Sequence, residues 1–261
     1  MKNFNFKSAA NTKEASKLGT GRATFLAGGM SLLPAMKLRL AAYSDLINLK
    51  KIKGLSGIKI SSKSIKIGAT TTHAEVASSK EVGKSIPSLS MLADGIGDPQ
   101  VRNRGTIGGS IANNDPAADY PSACLALNAT IHTSKRKIPA DKFFKGMFET
   151  DLKKGELIES IEFEVPEKSA YAKYPNPASR YAIVGVYVSK LKKEVRVSVT
   201  GAGNSVFRST ELEAALSSNF SPAALDNISI SSKDLNSDIH ASAEYRAHLI
   251  KIMARKAVSS C

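Results

Sequence analysis

The sequence predicts an α+β fold, on three observations. Strand and helix signals follow one another without regular βαβ alternation, which disfavours a doubly wound parallel sheet. Period-two apolar runs, as in "GIKISSKSIKIGA" and "EVRVSVT", stand beside stretches with helix caps and stops. Of the 261 residues, 42 % are apolar and 23 % charged, the balance of a globular chain that buries a core.

Taken in order, "NFNFKSA" reads as a first strand. "NTKEASKLG" reads as a helix with Asn11 or Thr12 as N-cap and Gly19 as stop. "ATFLAGG" is a second strand ending in glycines, and "SLLPAMKLRLA" a helical turn with Pro34 tolerated near its start. "GIKISSKSIKIGA" is a hairpin. "THAEVASS" opens a helix with a capping box, Thr72 and Glu75. "PSLSMLADGIG" is a helix ended by glycines, "PSACLALNATIHTS" passes from helix to strand, and "LIESIEFEVP" is a strand. "KSAYAKYPNPAS" reads as a proline-containing connection between larger domains, and "RYAIVGVYVSKLKKEVRVSVTGAG" as two strands turning near "KLKKE". "STELEAALSSNF" is a helix. The closing "ASAEYRAHLIKIMARKAVSS" is an amphipathic helix with Tyr245, Leu249, Ile252 and Met253 near one face. These elements divide into a domain over 1–170, with subdomains of about 1–54 and 55–170, and an α+β domain over 171–261.

The formal charge is +14, but the lysines are scattered in short clusters, as on a solvated surface. Tryptophan is absent and aromatics are 6 %, so stacking platforms for single-stranded nucleic acid are scarce. No apolar stretch approaches the ~20 residues that span a bilayer, and the N-terminus lacks a signal-peptide core. The expected location is the cytoplasm, with no nucleic acid and no membrane span. The two cysteines, Cys124 and Cys261, cannot hold an iron–sulfur cluster alone. The four histidines are scattered without metal spacing, and neither a nucleophile motif nor a carboxylate pair stands out. Chemistry here would come from a cofactor.

Two loops share one grammar, "FLAGGMSLL" (25–33) and "GTIGGSIAN" (105–113): a β-favouring run, then Gly-Gly, then a hydroxyl within two residues. Glycines let backbone N–H groups converge on an anion, and a following helix adds partial positive charge. Two such loops suit two linked phosphates, although neither is GxGxxG or a P-loop. Each loop can also be a tight turn or bulge. Asp119, ten residues after Gly109, reads equally as an acceptor for sugar hydroxyls or as a helix cap.

"FLAGGMSLLPAMKLRLA" and "RNRGTIGGSIANNDPAADYP" resemble the two FAD loops of the medium, flavin-binding subunits of the molybdenum hydroxylases, in the carbon monoxide dehydrogenase group of the xanthine dehydrogenase family. "NPASRYAIVGV", "VTGAG" with "VFR", and "HASAEYRAHLIKIMARKAV" extend the resemblance over nearly the whole chain. The resemblance implies an FAD-binding domain of the p-cresol methylhydroxylase type in two α+β subdomains, then a C-terminal domain with a three-stranded antiparallel sheet and helices. It implies that Ala27, Gly28, Gly29, Met30 and Ser31, with Thr106, Ile107, Gly108, Gly109 and Ser110, hold the FAD pyrophosphate. Asp119 would bind a cofactor hydroxyl, Ile96 would line the cofactor, and Ile158 would offer a backbone contact. Lys173 matches a lysine in the strand connection, and Tyr181 falls close to the isoalloxazine ring. Two positions depart from the pattern: Thr24 stands where several relatives have lysine, and Arg180 where many have an acidic residue. The implied assembly is a dimer of heterotrimers, with [2Fe–2S] clusters on a small subunit and molybdopterin on a large one. FAD here would pass their electrons to an external acceptor. The alternatives are a basic nucleic-acid-binding module or a structural subunit that has lost FAD.

Overall fold

A computed structural model describes all residues, 1–261. The chain opens as β1 (Asn5–Ser8), α1 (Thr12–Leu18), β2 (Ala23–Leu26), α2 (Leu32–Lys37) and β3 (Asp45–Asn48). Asn11 caps α1 by accepting from the Glu14 N–H at 2.9 Å. The three strands form a sheet of order β1-β3-β2, and β3 is parallel to both neighbours. This opening is therefore a βαβαβ unit: its strand–helix–strand–helix order was expected, its third strand was not. Its central strand is "DLIN", whose two apolar residues between polar ends give almost no pattern to read. Its core is small: Ala9, Ala15, Ile47, Leu49, Ile52 and Leu55 pack with Leu157, which is contributed from much later in the chain.

The second subdomain holds β4 (Ile58–Ile60), β5 (Ser64–Gly68), α3 (His73–Ser78), α4 (Lys80–Ser85), α5 (Pro87–Asp94), α6 (Pro99–Arg102), α7 (Ile107–Asn113) and α8 (Tyr120–Ala126). It continues through β6 (Thr130–Thr133), β7 (Lys137–Pro139), α9 (Ala140–Phe143), β8 (Phe144–Gly146), β9 (Glu149–Thr150) and β10 (Ile158–Glu164). The main sheet is antiparallel in the order β4-β5-β10-β6-β7. Ile65, Ile67, Ile131, Ile161 and Phe163 point from it into one core with Leu89 and Leu92 of α5, Ile107 and Ile111 of α7, and Cys124 of α8. The capping box on α3 is present, Glu75 accepting from the Thr72 N–H and Thr72 from the Glu75 N–H.

The last domain contains β11 (Lys168–Pro175), β12 (Ala182–Lys190), β13 (Val195–Thr200), β14 (Phe207–Arg208), α10 (Thr210–Ser218) and α11 (Ala243–Ser259). The expected connection at 168–179 is a strand as far as Pro175. The break between sheets falls at residues 165–167, and a two-residue fourth strand joins the three expected. Val184, Val186 and Val188 of β12 and Val195, Val197 and Val199 of β13 pack on α10 and α11. On α11 the buried stripe includes Leu249, Ile250, Met253 and Ala254. Leu249 and Met253 lie on it as expected, but Tyr245 and Ile252 are exposed. Arg246 takes a place on the buried side because its guanidinium donates to the Ile183 and Gly201 carbonyls at 2.6 and 2.9 Å and to Asp238 at 2.7 Å. No helix is long and apolar enough to cross a membrane.

The other face of this sheet is polar, yet all of β13 is buried. Burial of polar groups is tolerated only where they are hydrogen-bonded. Here Arg196 donates to the Leu125 carbonyl at 2.8 Å, Ser198 to Ser122 at 2.7 Å, and Thr200 to Ala118 at 2.7 Å with Pro116 at 3.0 Å. The second core closes against the same face through Tyr187. Thr200→Val, which keeps shape and removes the donor, is expected to lower the unfolding free energy by about 1–3 kcal/mol, read from urea melts.

Candidate functional site

The first glycine loop joins β2 to α2. Gly29 takes φ +77°, a left-handed conformation that turns the chain. None of the five backbone N–H groups from Ala27 to Ser31 has a protein acceptor. Five successive unspent donors at a left-handed turn form an anion cradle.

The second loop is built differently. The β-favouring run expected before its glycines is absent: Ile107–Asn113 is helix α7, capped by the Thr106 hydroxyl, which accepts from Gly109 N–H at 3.1 Å. Thr106 and Thr72 form an antiparallel bridge. Around it, His73 N–H donates to Gly105 O at 3.0 Å, Ile107 N–H to Thr71 O at 3.1 Å, and Gly108 N–H to Ala69 O at 2.9 Å. The Ser110 N–H is spent on Thr106 O at 2.9 Å. The donors this loop has left are the Thr106 N–H and the hydroxyls of Thr106 and Ser110.

The glycines also differ in what they touch. A Cβ on Gly28 would lie inside the Arg104 carbonyl and 2.9 Å from Gly105 Cα. A Cβ on Gly108 would meet the Ala69 carbonyl at 2.6 Å. Both are glycine because backbone packs on backbone, not because a phosphate needs the space. Only Gly109 has a lighter constraint, Thr106 Oγ1 at 2.9 Å and Ala27 at 3.9 Å. The two loops thus interlock, with Gly28 seated on the segment that leads into α7.

His73 wedges this junction. Its ring is 5 % exposed and 5.3 Å from the Tyr120 ring, and a Cβ on Gly105 would lie 2.6 Å from its Nε2. Its Nδ1 and the Tyr120 hydroxyl are buried without partners. Burial, and secondarily the Arg102 charge, lowers the His73 pKa to about 4.

Asp119 precedes α8 but makes no side-chain cap bond; the cap-type bond belongs to Asp115, which accepts from Ala117 N–H at 2.9 Å. Instead the Asp119 carboxylate, 4 % exposed, accepts from the Tyr171 hydroxyl on Oδ1 and from Lys173 Nζ on Oδ2 at 3.2 Å. Burial pushes its pKa up, against the pull of Lys173 and Tyr171. Lys173 also donates to the Gly95 and Arg180 carbonyls at 2.8 and 3.1 Å. Its three N–H bonds therefore have three protein acceptors, and it orients Asp119.

The turn containing Ile96 is gripped from several sides. Arg102 donates to the Ile96 and Gly97 carbonyls, both at 3.2 Å, and Arg180 to Gly97 at 3.0 Å. Arg102 thus holds its loop from behind, while the Arg104 side chain is exposed and its carbonyl meets Gly28. Arg180 itself sits at φ +62°. Tyr181 is 43 % exposed, and its hydroxyl lies beside that of Ser31. Ile158 stands apart: its side chain is buried in the second core, and the next residue, Glu159, accepts from Ala69 N–H at 2.9 Å. The structure therefore joins both loops, the Ile96 turn, Asp119, Lys173 and Tyr181 into one connected region. Sequence reasoning missed Tyr171, whose signal was its spacing: two residues before Lys173 on a strand puts both on one face.

A cradle of backbone donors, a buried carboxylate and an exposed tyrosine on this mixed fold have the chemistry that suits a phosphate-bearing cofactor. The family model for the FAD-binding domain in molybdopterin dehydrogenase matches residues 2–167, and that for the CO dehydrogenase flavoprotein C-terminal domain matches 169–261. The chain belongs to this family, the FAD-binding medium subunits of the molybdenum hydroxylases. The glyceraldehyde dehydrogenase medium chain of Sulfolobus acidocaldarius is 35 % identical to it, over 97 % of this chain and 96 % of its own length. The carbon monoxide dehydrogenase medium chain of Hydrogenophaga pseudoflava is 33 % identical, over 91 % and 88 %. The solved structure of carbon monoxide dehydrogenase from that organism, lacking the Mo-pyranopterin moiety of its cofactor, has a chain that superposes with a TM-score of 0.91 at 32 % identity, covering 99 % of this chain and 96 % of that one.

Two expectations follow from the geometry. Gly28→Val forces backbone apart at the loop junction, so it should lower stability by about 1–3 kcal/mol even without cofactor, seen as a lower melting temperature. His73 is neutral in the folded chain, with a pKa near 4 against an ordinary 6.5. Its contribution to stability is complete above pH 6.5 and is lost as pH falls toward 4. His73→Gln should therefore lose less stability than the parent between pH 7 and 4.5, by about 2 kcal/mol, in urea melts at the two pH values.

Proposed function

We propose that this chain is the electron-transfer subunit of a multisubunit molybdopterin-dependent dehydrogenase. It takes electrons from the [2Fe–2S] clusters of a small partner subunit, ultimately from the molybdopterin of a large one, and delivers them to an external acceptor. The observation that carries the reading is the unspent amide run Ala27–Ser31, set beside the buried carboxylate of Asp119. FAD supplies the redox chemistry when bound, accepting electrons and releasing them to the acceptor.

The chain's own residues hold and orient it. The Ala27–Ser31 amides would take the pyrophosphate, with the Thr106 and Ser110 hydroxyls as further donors. Asp119 would accept from a cofactor hydroxyl, and Lys173 would keep it oriented. Ile96 would line the cofactor, Ile158 would offer backbone, and Tyr181 would stand at the flavin.

The division of labour follows from what the chain lacks in side chains. Cys124 is buried in α8 and Cys261 is the last residue, so the thiolate ligands of a cluster must come from elsewhere. The net charge of +14 suits acidic partner surfaces and the pyrophosphate alike. The expected assembly is a dimer of heterotrimers in the cytoplasm.

Purified from cells with its partner subunits, the chain should be yellow, and its flavin should bleach when the complex meets its reducing substrate. A chain that takes up no FAD, alone or in the complex, would overturn the reading.

A further inference from the structure

Asp119 carries one of the few buried charges in the site, and its orientation is set by one strand. Tyr171 and Lys173 lie two residues apart on β11: the Tyr171 hydroxyl donates to Oδ1, and Lys173 Nζ straddles the carboxylate, 3.1 Å from Oδ1 and 3.2 Å from Oδ2. An ammonium that straddles both oxygens does not by itself choose the carboxylate's rotation; the tyrosine, bonded to one oxygen only, does, and the other oxygen keeps a lone pair for a further donor. Burial and the adjacent Asp119 hold the Tyr171 hydroxyl protonated, its pKa well above the ordinary tyrosine value, so it donates throughout the physiological range.

The neighbouring strand is shaped around this hydroxyl. Gly185 is the register partner of Lys173 and stands among Val184, Val186 and Val188 in a strand that otherwise favours branched side chains. A Cβ there would fall on the Tyr171 hydroxyl and 2.9 Å from Thr200 Cγ2. Glycine in a strand interior marks a close approach, and the approaching group is the one that meets Asp119. Tyr187 provides an internal comparison. Its ring packs 5.8 Å from that of Tyr171 and is fully buried where Tyr171 is half-buried, but its hydroxyl meets Ser88 at 2.6 Å.

We propose that Tyr171 is a positioning residue for FAD: its hydroxyl, seated in the space Gly185 leaves, fixes the Asp119 carboxylate in the rotation that receives a cofactor hydroxyl. This rests on the reading of Asp119 as an FAD ligand. The test is titration of the full-length apo-chain with FAD, followed by flavin fluorescence, alongside melting temperatures without cofactor. Tyr171→Phe should raise the FAD Kd about 10- to 100-fold, the worth of a hydrogen bond to a charged group. Gly185→Ala should do the same by displacing the hydroxyl. Asp119→Asn combined with Tyr171→Phe should bind no worse than Asp119→Asn alone, because the tyrosine acts through the carboxylate. Tyr187→Phe should lower the melting temperature at least as much while leaving the Kd within about twofold, because its hydroxyl bonds Ser88 and makes no bond to Asp119.

Tight FAD binding by Tyr171→Phe, or equal losses of affinity in the two tyrosine variants, overturns the proposal and leaves the functional reading standing. A parent chain that binds no FAD, alone or with its partner subunits, overturns both.

Discussion

The polar face of the C-terminal sheet is the constraint on which the site depends. Strand β13 is buried on both faces, so Arg196, Ser198 and Thr200 must each find an acceptor inside the protein. All three find it on one stretch, the carbonyls of Pro116 to Leu125. That stretch is thereby held against a rigid sheet, and with it Asp119 and Tyr120. Tyr120 packs on His73, His73 on Gly105, and Arg104 on Gly28. A line of direct contacts runs from a strand near the C-terminus to the amide cradle at residues 27–31.

Charge placement follows the same geometry. The carbonyls of Gly95, Ile96 and Gly97 lie at the C-terminal end of α5, where a helix favours positive charge. Lys173, Arg102 and Arg180 occupy that position. Two of the three come from the C-terminal domain, so the carbonyl turn is also the fastening between domains. Arg180 is thereby used structurally on the Gly97 carbonyl.

Much of the architecture was legible because local chemistry agreed with the fold. Asn11, the Thr72–Glu75 capping box and the alternation of "EVRVSVT" each name an element and were read as such. What escaped was set by distant partners. "DLIN" is a central strand only because β1 and β2 flank it. "TIGGSIAN" favours β by composition, but Thr106 caps it and the Ala69–His73 segment pairs with its start, which makes it a helix. At the site, the residue types and the two glycine loops named residues that the fold brings into one region. The division between them was not readable, because whether a glycine faces a ligand or another backbone depends on which chain segment lies opposite. Tyr245 and Ile252 were placed on the wrong side of α11 because Arg246, a charged residue, takes a buried position through acceptors in remote strands.

The small core of the first subdomain has a further consequence. Residues 5–48 bury few side chains of their own and borrow Leu157, the residue before β10. A body held so lightly depends on what lies in the seam beside it. A ligand seated on Ala27–Ser31 and on residues of the other two bodies spans that seam, and by mass action its binding free energy adds to the docking of the N-terminal body. Cofactor supply then becomes part of the chain's quality control. With FAD seated as proposed, the cofactor-free form is the one whose N-terminal body is expected to open first to proteolysis.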